Sequence, residues 1–209
     1  IVTLPKLAVI GIGAEDHQAS SRRCINRQKN QIRPAISQNF NQLAATDAVS
    51  GSPKTLPGLA KEKGVLLIFH DPSCPFAKLY ESRIKALKTK FEAQEIGFVL
   101  INPQAQNNES EQNRLRAYID DSGLNMPYLI DDKQQWTQGF KVTKIPEVVL
   151  LMPGKTGLEV VYKGAIDNNP QLESAVTEKY LEMALTQMVR GEKPAVPQVR
   201  AVGCNIRIY

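Results

Sequence analysis

Residues 64–77 read GVLLIFHDPSCPFA, and the rest of the chain is organised around them. The run Val65-Leu66-Leu67-Ile68-Phe69 is wholly apolar and too short for a helix, which is the pattern of a buried strand. His70-Asp71-Pro72-Ser73 forms a loop, and Cys74-Pro75 opens an amphipathic helix predicted over 75–93. Within it Tyr80, Ile84, Leu87 and Phe91 make one apolar stripe, while Lys78, Lys85, Lys88 and Lys90 lie off the stripe in solvent. A cysteine at such a strand-to-helix turn sits where free N–H groups and the helix dipole stabilise a thiolate. A protonated His70 nearby would help, and the Asp71 carboxylate would oppose. Chemistry is therefore expected at this turn.

Downstream, IGFVLI at 96–101 is a second buried strand that ends at Asn102-Pro103. A helix over 110–120 points Leu115 and Ile119 inward, and Met126-Pro127 introduces a short strand at 128–130. Asp131-Asp132 caps a helix that carries Trp136 and Phe140. EVVLLM at 147–152 and EVVYK at 159–163 flank a Pro-Gly-Lys-Thr-Gly turn, which makes a hairpin. A last helix over 172–190 buries Val176, Tyr180, Leu181, Leu185 and Met188 and is stopped by Gly191. Upstream, 40–43 alternates as a half-buried strand, 49–53 is a turn, and 56–61 is a short helical connector. From residue 64 the order is β-α-β-α-β-α-β-β-α. This order resembles the thioredoxin arrangement, and the fold expected is α/β, a central mixed sheet with flanking helices, an inserted helix and strand, and an N-terminal extension. The expected organisation is an arm at 1–38, a body at 39–192 and a Pro-containing tail at 193–209.

Composition bounds the rest. With 209 residues, 42% hydrophobic and 22% charged, the chain makes one domain with decorations and a real core. No run approaches the ~18 apolar residues that a membrane span needs. The net charge of +5 is spread over scattered basic residues without interleaved aromatics, so no nucleic-acid partner is expected. Three cysteines permit one internal disulfide and leave one thiol over, and they hold neither a CxxC nor a CxxCH pattern. With His17 and His70 the only histidines, no metal site is expected. Gly11 and Gly13 lack the third glycine of a dinucleotide loop, so no cofactor is expected either. LAVIGIGA at 7–14 has the length of a signal-peptide apolar region but equally suits a strand or docking segment. Polar residues 16–38 read as an extended arm, either plain surface or a contact for a protein partner.

Specific residues carry a family likeness. Cys74-Pro75 after the first core strand, and Lys144-Ile145-Pro146-Glu147 before the hairpin, resemble the thioredoxin-like superfamily. CPFA at 74–77, VTKIPEV at 142–148, YKGAID at 162–167 and RAVGC at 200–204 resemble, more narrowly, bacterial peroxiredoxin-like redoxins of the alkyl-hydroperoxide-reductase/thiol-antioxidant group. The likeness covers about 39–209. It implies a cis Pro146 facing Cys74, with Cys74 as a nucleophile in thiol–disulfide exchange. Three departures bear on the activity. Position 77, which holds the second thiol of thioredoxins and the peroxidatic cysteine of peroxiredoxins, is alanine; and if Cys74 is taken as the peroxidatic cysteine instead, the position three residues before it, which is threonine in a peroxiredoxin, is Asp71. Hydroperoxide reduction is therefore not implied.

Two readings stand. In one, the chain is a thiol–disulfide oxidoreductase acting on a protein or a small thiol or disulfide: Cys74 attacks, Cys204 resolves, and Pro146 presents backbone to an extended substrate. In the other it is a redox-silent scaffold, docked in a larger assembly through the arm and tail, with any Cys74–Cys204 bond a staple. Cys24 is a bystander or an intermolecular link. Glu147 is a proton acceptor for the site or a solvated strand-start residue, Thr143 a site hydrogen-bonder or a turn cap, and Trp136 core or interface. The family likeness, and a disulfide if one forms, point to an exported, periplasmic or cell-surface location, with the cytoplasm as alternative; the oligomeric state stays open.

Overall fold

The computed structural model describes residues 40–209, so the arm at 1–38, with His17 and Cys24, lies outside the described residues. The elements run β1 (Ala44–Asp47), β2 (Pro53–Thr55), α1 (Leu56–Leu59), β3 (Gly64–Phe69), α2 (Pro75–Phe91), β4 (Ile96–Asn102), α3 (Glu109–Ser122), β5 (Tyr128–Ile130) and α4 (Gln135–Gly139). They continue with β6 (Lys144–Ile145), β7 (Glu147–Gly154), β8 (Gly157–Gly164), α5 (Tyr180–Val189), β9 (Gln198–Val199) and β10 (Cys204–Asn205). Among the described residues the main sheet has eight strands in the order β2-β1-β5-β4-β3-β7-β8-β9, and β10 pairs with β6 in a separate two-stranded ladder.

Every residue of β3 and β4 is buried, as their unbroken apolar sequences require. They pair in parallel from Gly64↔Ile96 to Phe69↔Ile101, and β4 pairs in parallel with β5. β7 joins the other side of β3 antiparallel, with Glu147 opposite Phe69. An antiparallel neighbour begins where β3 ends. The residues just after β3 and those just before β7 therefore share one edge of the sheet, and that edge carries the cysteine turn and the Ile145-Pro146 loop. The α2 stripe of Tyr80, Ile84, Leu87 and Phe91 and the inward face of α5, Leu181, Leu185 and Met188, belong to one core with the sheet. The mixed α/β thioredoxin-like fold expected from the order of elements is the fold observed.

Local differences have local causes. Phe40–Gln42 is a 3-10 turn rather than a strand, and its Phe40 ring stacks on Phe140 at 4.5 Å. The strand lies just beyond, in β1, where the Asp47 carboxylate accepts the Tyr128 N–H at 2.9 Å and Ala48 N–H reaches the Tyr128 carbonyl at 2.8 Å. The last helix begins at Tyr180, not 172. Asn169 accepts the N–H groups of Gln171 and Leu172, and Asn168 those of Thr177 and Glu178, so side chains hold this stretch in turns that compete with helix. Val176 is half-buried there instead of core. Asp131 alone of the acidic pair supports α4, accepting from the backbone of Trp136 and Thr137 and from the Thr137 hydroxyl. Trp136 is fully buried core.

Candidate functional site

Cys74 is the N-cap residue of α2, with extended backbone (φ −85°, ψ 118°) and Pro75 as the first helical residue. Its N–H donates to the Asp71 carbonyl at 3.0 Å, and the Asp71 carboxylate accepts the Ser73 N–H at 2.9 Å, which shapes the turn. The side chain takes no hydrogen bond from the helix N-terminus. It turns to Cys204 instead, and the two sulfurs form a disulfide with Cα atoms 6.1 Å apart, spanning 130 positions of sequence. The Ile145-Pro146 bond is cis, and the Ile145 carbonyl oxygen stands 3.3 Å from the Cys74 sulfur. While the sulfur is oxidised this is a dipole contact; once reduced, the thiol has that carbonyl as an acceptor. Cys74, Pro146 and Cys204 are thus brought together. Ala77, fully buried beneath them, offers no second thiol.

The tail reaches the site as a strand. β9 lies parallel to β8, with Lys163 N–H on the Pro197 carbonyl at 3.0 Å and Ala165 N–H on the Val199 carbonyl at 3.1 Å. β10 then pairs antiparallel with β6, placing Cys204 opposite Ile145 and Asn205 opposite Lys144, and Ile206 N–H donates to the Thr143 carbonyl at 3.2 Å. Beyond the disulfide, the amide of the fully buried Gln134 donates to the carbonyls of Pro103 at 2.9 Å and Arg207 at 2.7 Å. Gln104 donates to Arg207 as well, at 3.0 Å. Gly203 explains why a glycine precedes the tail cysteine: a Cβ at that position would lie 2.0 Å from the Ile145 carbonyl oxygen. The two backbones approach closer there than any side chain allows.

Glu147, next to the cis bond, is buried, and its carboxylate turns back on its own loop. It accepts the N–H groups of Thr143 at 3.0 Å and Lys144 at 3.2 Å and pairs with Lys163 at 3.3 Å. It is not a solvated strand-start residue: it fixes the loop that faces Cys74. Thr143 serves that same loop through its backbone.

His70 also differs from expectation. It is fully buried, with Nδ1 2.7 Å from the Tyr128 hydroxyl and Nε2 3.3 Å from the Tyr118 hydroxyl, and Tyr118 in turn donates to Glu81. The network is satisfied with the proton on Nε2: Nε2–H donates to Tyr118, and Nδ1 accepts from Tyr128. Burial pushes the imidazole down to about 3, and burial first of all pushes both tyrosines up. His70 is neutral near pH 7 and supplies no positive charge to the cysteine. Between its unfolded value, ~6.5, and about 3, the unfolded chain binds a proton at this position that the folded chain refuses. This contribution to stability is therefore whole above pH ~6.5 and drains away as pH falls, by about 1.4 kcal/mol per pH unit within the window. Urea titrations of wild type and His70→Gln between pH 7 and 4 should show the wild type losing stability more steeply; parallel curves would count against it.

Comparison with known proteins agrees with this geometry. Residues 34–158 match the AhpC/TSA family. An uncharacterised conserved protein from Geobacillus kaustophilus superposes with a TM-score of 0.71 at 22% identity, covering 80% of this chain and 88% of that one. A hypothetical protein from Sinorhizobium meliloti 1021 gives 0.67 at 25% identity, over 78% and 89%. A secreted Mycobacterium tuberculosis disulfide oxidoreductase homologous to E. coli DsbE gives 0.50 at 21% identity, over 74% and 99%. No curated protein matches the chain. A parallel core with an antiparallel hairpin, a cysteine at the start of α2, a cis-proline loop facing it, and a family match over more than half the length lead to one conclusion: the chain belongs to the AhpC/TSA family and is a thioredoxin-like redoxin.

Proposed function

We propose that the chain is a thiol–disulfide oxidoreductase with Cys74 as nucleophile, Cys204 as resolving thiol and Pro146 as the residue that presents the Ile145 backbone to the substrate. The observation that carries this reading is the Cys74–Cys204 disulfide lying against the cis-proline loop, which returns to the site the second thiol that Ala77 removes. In the reducing direction the Cys74 thiolate attacks one sulfur of a substrate disulfide and expels the other as a thiolate. Cys204 thiolate then attacks the Cys74 sulfur, frees the second substrate thiolate and leaves the Cys74–Cys204 bond. One substrate disulfide is reduced and one protein dithiol oxidised, two electrons in all. In the oxidising direction the steps reverse. Substrates are proteins or small thiols and disulfides. Reaction with hydroperoxide is not part of the proposal, because the position that would carry a peroxidatic cysteine is Ala77.

The staple reading has one observation in its favour: Cys74 is 4% exposed, under a tail hydrogen-bonded on both sides of the disulfide. Trapping separates the two. Reduced Cys204→Ser protein mixed with a small aromatic disulfide at neutral pH should hold a stable mixed disulfide mapped to Cys74, whereas wild type should release it as the internal disulfide forms. Absence of any adduct at Cys74 would leave the staple. A disulfide of this kind suits an exported, periplasmic or cell-surface location, and recovery of the chain in the cytoplasmic fraction of its source cells would refute that part.

A further inference from the structure

We propose that the β6 edge, where the tail lies, selects extended peptides in which glycine immediately precedes the reacting cysteine. The inference rests on the oxidoreductase reading above and adds a substrate class to it. The tail shows what the edge accepts: a strand running antiparallel to Lys144–Ile145, its cysteine opposite Ile145 and bonded to Cys74. That is the arrangement a substrate strand takes while joined to Cys74 as a mixed disulfide, with backbone pairing supplying affinity and side-chain clearance supplying selection.

The clearance is the selective element. A Cβ on the residue before the cysteine meets the Ile145 carbonyl oxygen at 2.0 Å, the Ile145 carbonyl carbon at 2.6 Å and the Pro146 nitrogen at 3.1 Å, all of them backbone. The loop has little freedom to retreat, because the buried Glu147 carboxylate holds the N–H groups of Thr143 and Lys144 and is itself paired with Lys163. A peptide with alanine or a larger residue before its cysteine must tilt off the edge, which pulls its sulfur out of line with Cys74.

The test uses the full chain carrying Cys24→Ser and Cys204→Ser, so that Cys74 is its sole thiol. The probes are two end-blocked peptides, Val-Gly-Cys-Asn-Ile and Val-Ala-Cys-Asn-Ile, each joined through its cysteine to thionitrobenzoate. The Cys74 thiolate attacks the peptide sulfur, forms a Cys74–peptide disulfide and expels the coloured thionitrobenzoate thiolate. The glycine peptide should react at least about tenfold faster, the scale of forcing a methyl group into a fixed contact. Adding Gly203→Val, which loosens the tail, should speed both peptides and leave their ratio unchanged. A ratio near one, with Cys74 still quick toward the symmetric thionitrobenzoate disulfide, overturns the selection while the oxidoreductase reading stands. A ratio that vanishes with Gly203→Val also overturns it, since the discrimination then came from the tail. If Cys74 reacts with none of the reagents, the oxidoreductase reading fails and this inference falls with it.

Discussion

Cys204→Ser protein is expected to unfold with a free energy about 5 kcal/mol below that of the oxidised wild type. The bond closes a loop of 130 positions, and in the chain-entropy treatment a loop of that length takes about 5 kcal/mol of freedom from the unfolded state. Little of the effect arises in the folded state, where β9 and β10 still pair with β8 and β6. Cys74→Ser should therefore cost nearly as much, although Cys74 is buried and Cys204 half-buried. Wild type in excess reductant should follow both variants. Chemical denaturation of the four samples checks this. A reduced wild type as stable as the oxidised one would mean that the loop does not constrain the unfolded chain.

Breaking the Arg83–Asp167 pair should be nearly as damaging. The guanidinium and carboxylate meet at 2.7 Å with side chains 8% and 4% exposed. Asp167 also accepts the Tyr80 hydroxyl at 3.0 Å and the Asn169 N–H at 2.9 Å, while Arg83 donates to the Asn169 carbonyl at 2.8 Å and lies over the Tyr80 ring. Removing one partner leaves the other charge buried without its counterion, a loss of about 3–5 kcal/mol. Asp167→Ala and Arg83→Met should each show it, and the double variant should lose clearly less than the sum. Additive losses would mean that the two groups act independently. The pair fastens α2, whose N-cap is Cys74, to the segment after β8, so these variants should also loosen the cysteine turn.

The sequence made the frame legible wherever burial dictated the residues. GVLLIF and IGFVLI have no solvent face and can only be inner strands, and the Tyr80–Phe91 stripe can only face a sheet. The same stripe held Arg83, one position before Ile84 and three after Tyr80, and that spacing alone marked a buried charge which the reading of lysines off the stripe passed over. Other features were invisible because their causes are distant. β6, β9 and β10 have two residues each and exist through the partners they pair with. His70 reads as an aid to the thiolate until two tyrosines from α3 and β5 enclose it. Gln134, in a loop rich in polar residues, carries no mark of its burial or of its hold on the tail. The likeness at 200–204 did single out Gly-Cys; the 2.0 Å clearance against Ile145 supplies its physical reason.

The hydrogen-bonded tail has an electrochemical consequence. Once the disulfide opens, Cys204 does not diffuse away: β9 on one side and the Gln134 and Gln104 amides on the other anchor the tail at both flanks, so a substrate strand displaces β10 alone and Cys204 stays tethered near Cys74 at a high effective concentration. Each 1.4 kcal/mol of that hold favours the oxidised form and lowers the midpoint potential of the couple by about 30 mV. The redox poise of this protein is thus written in residues that never touch sulfur.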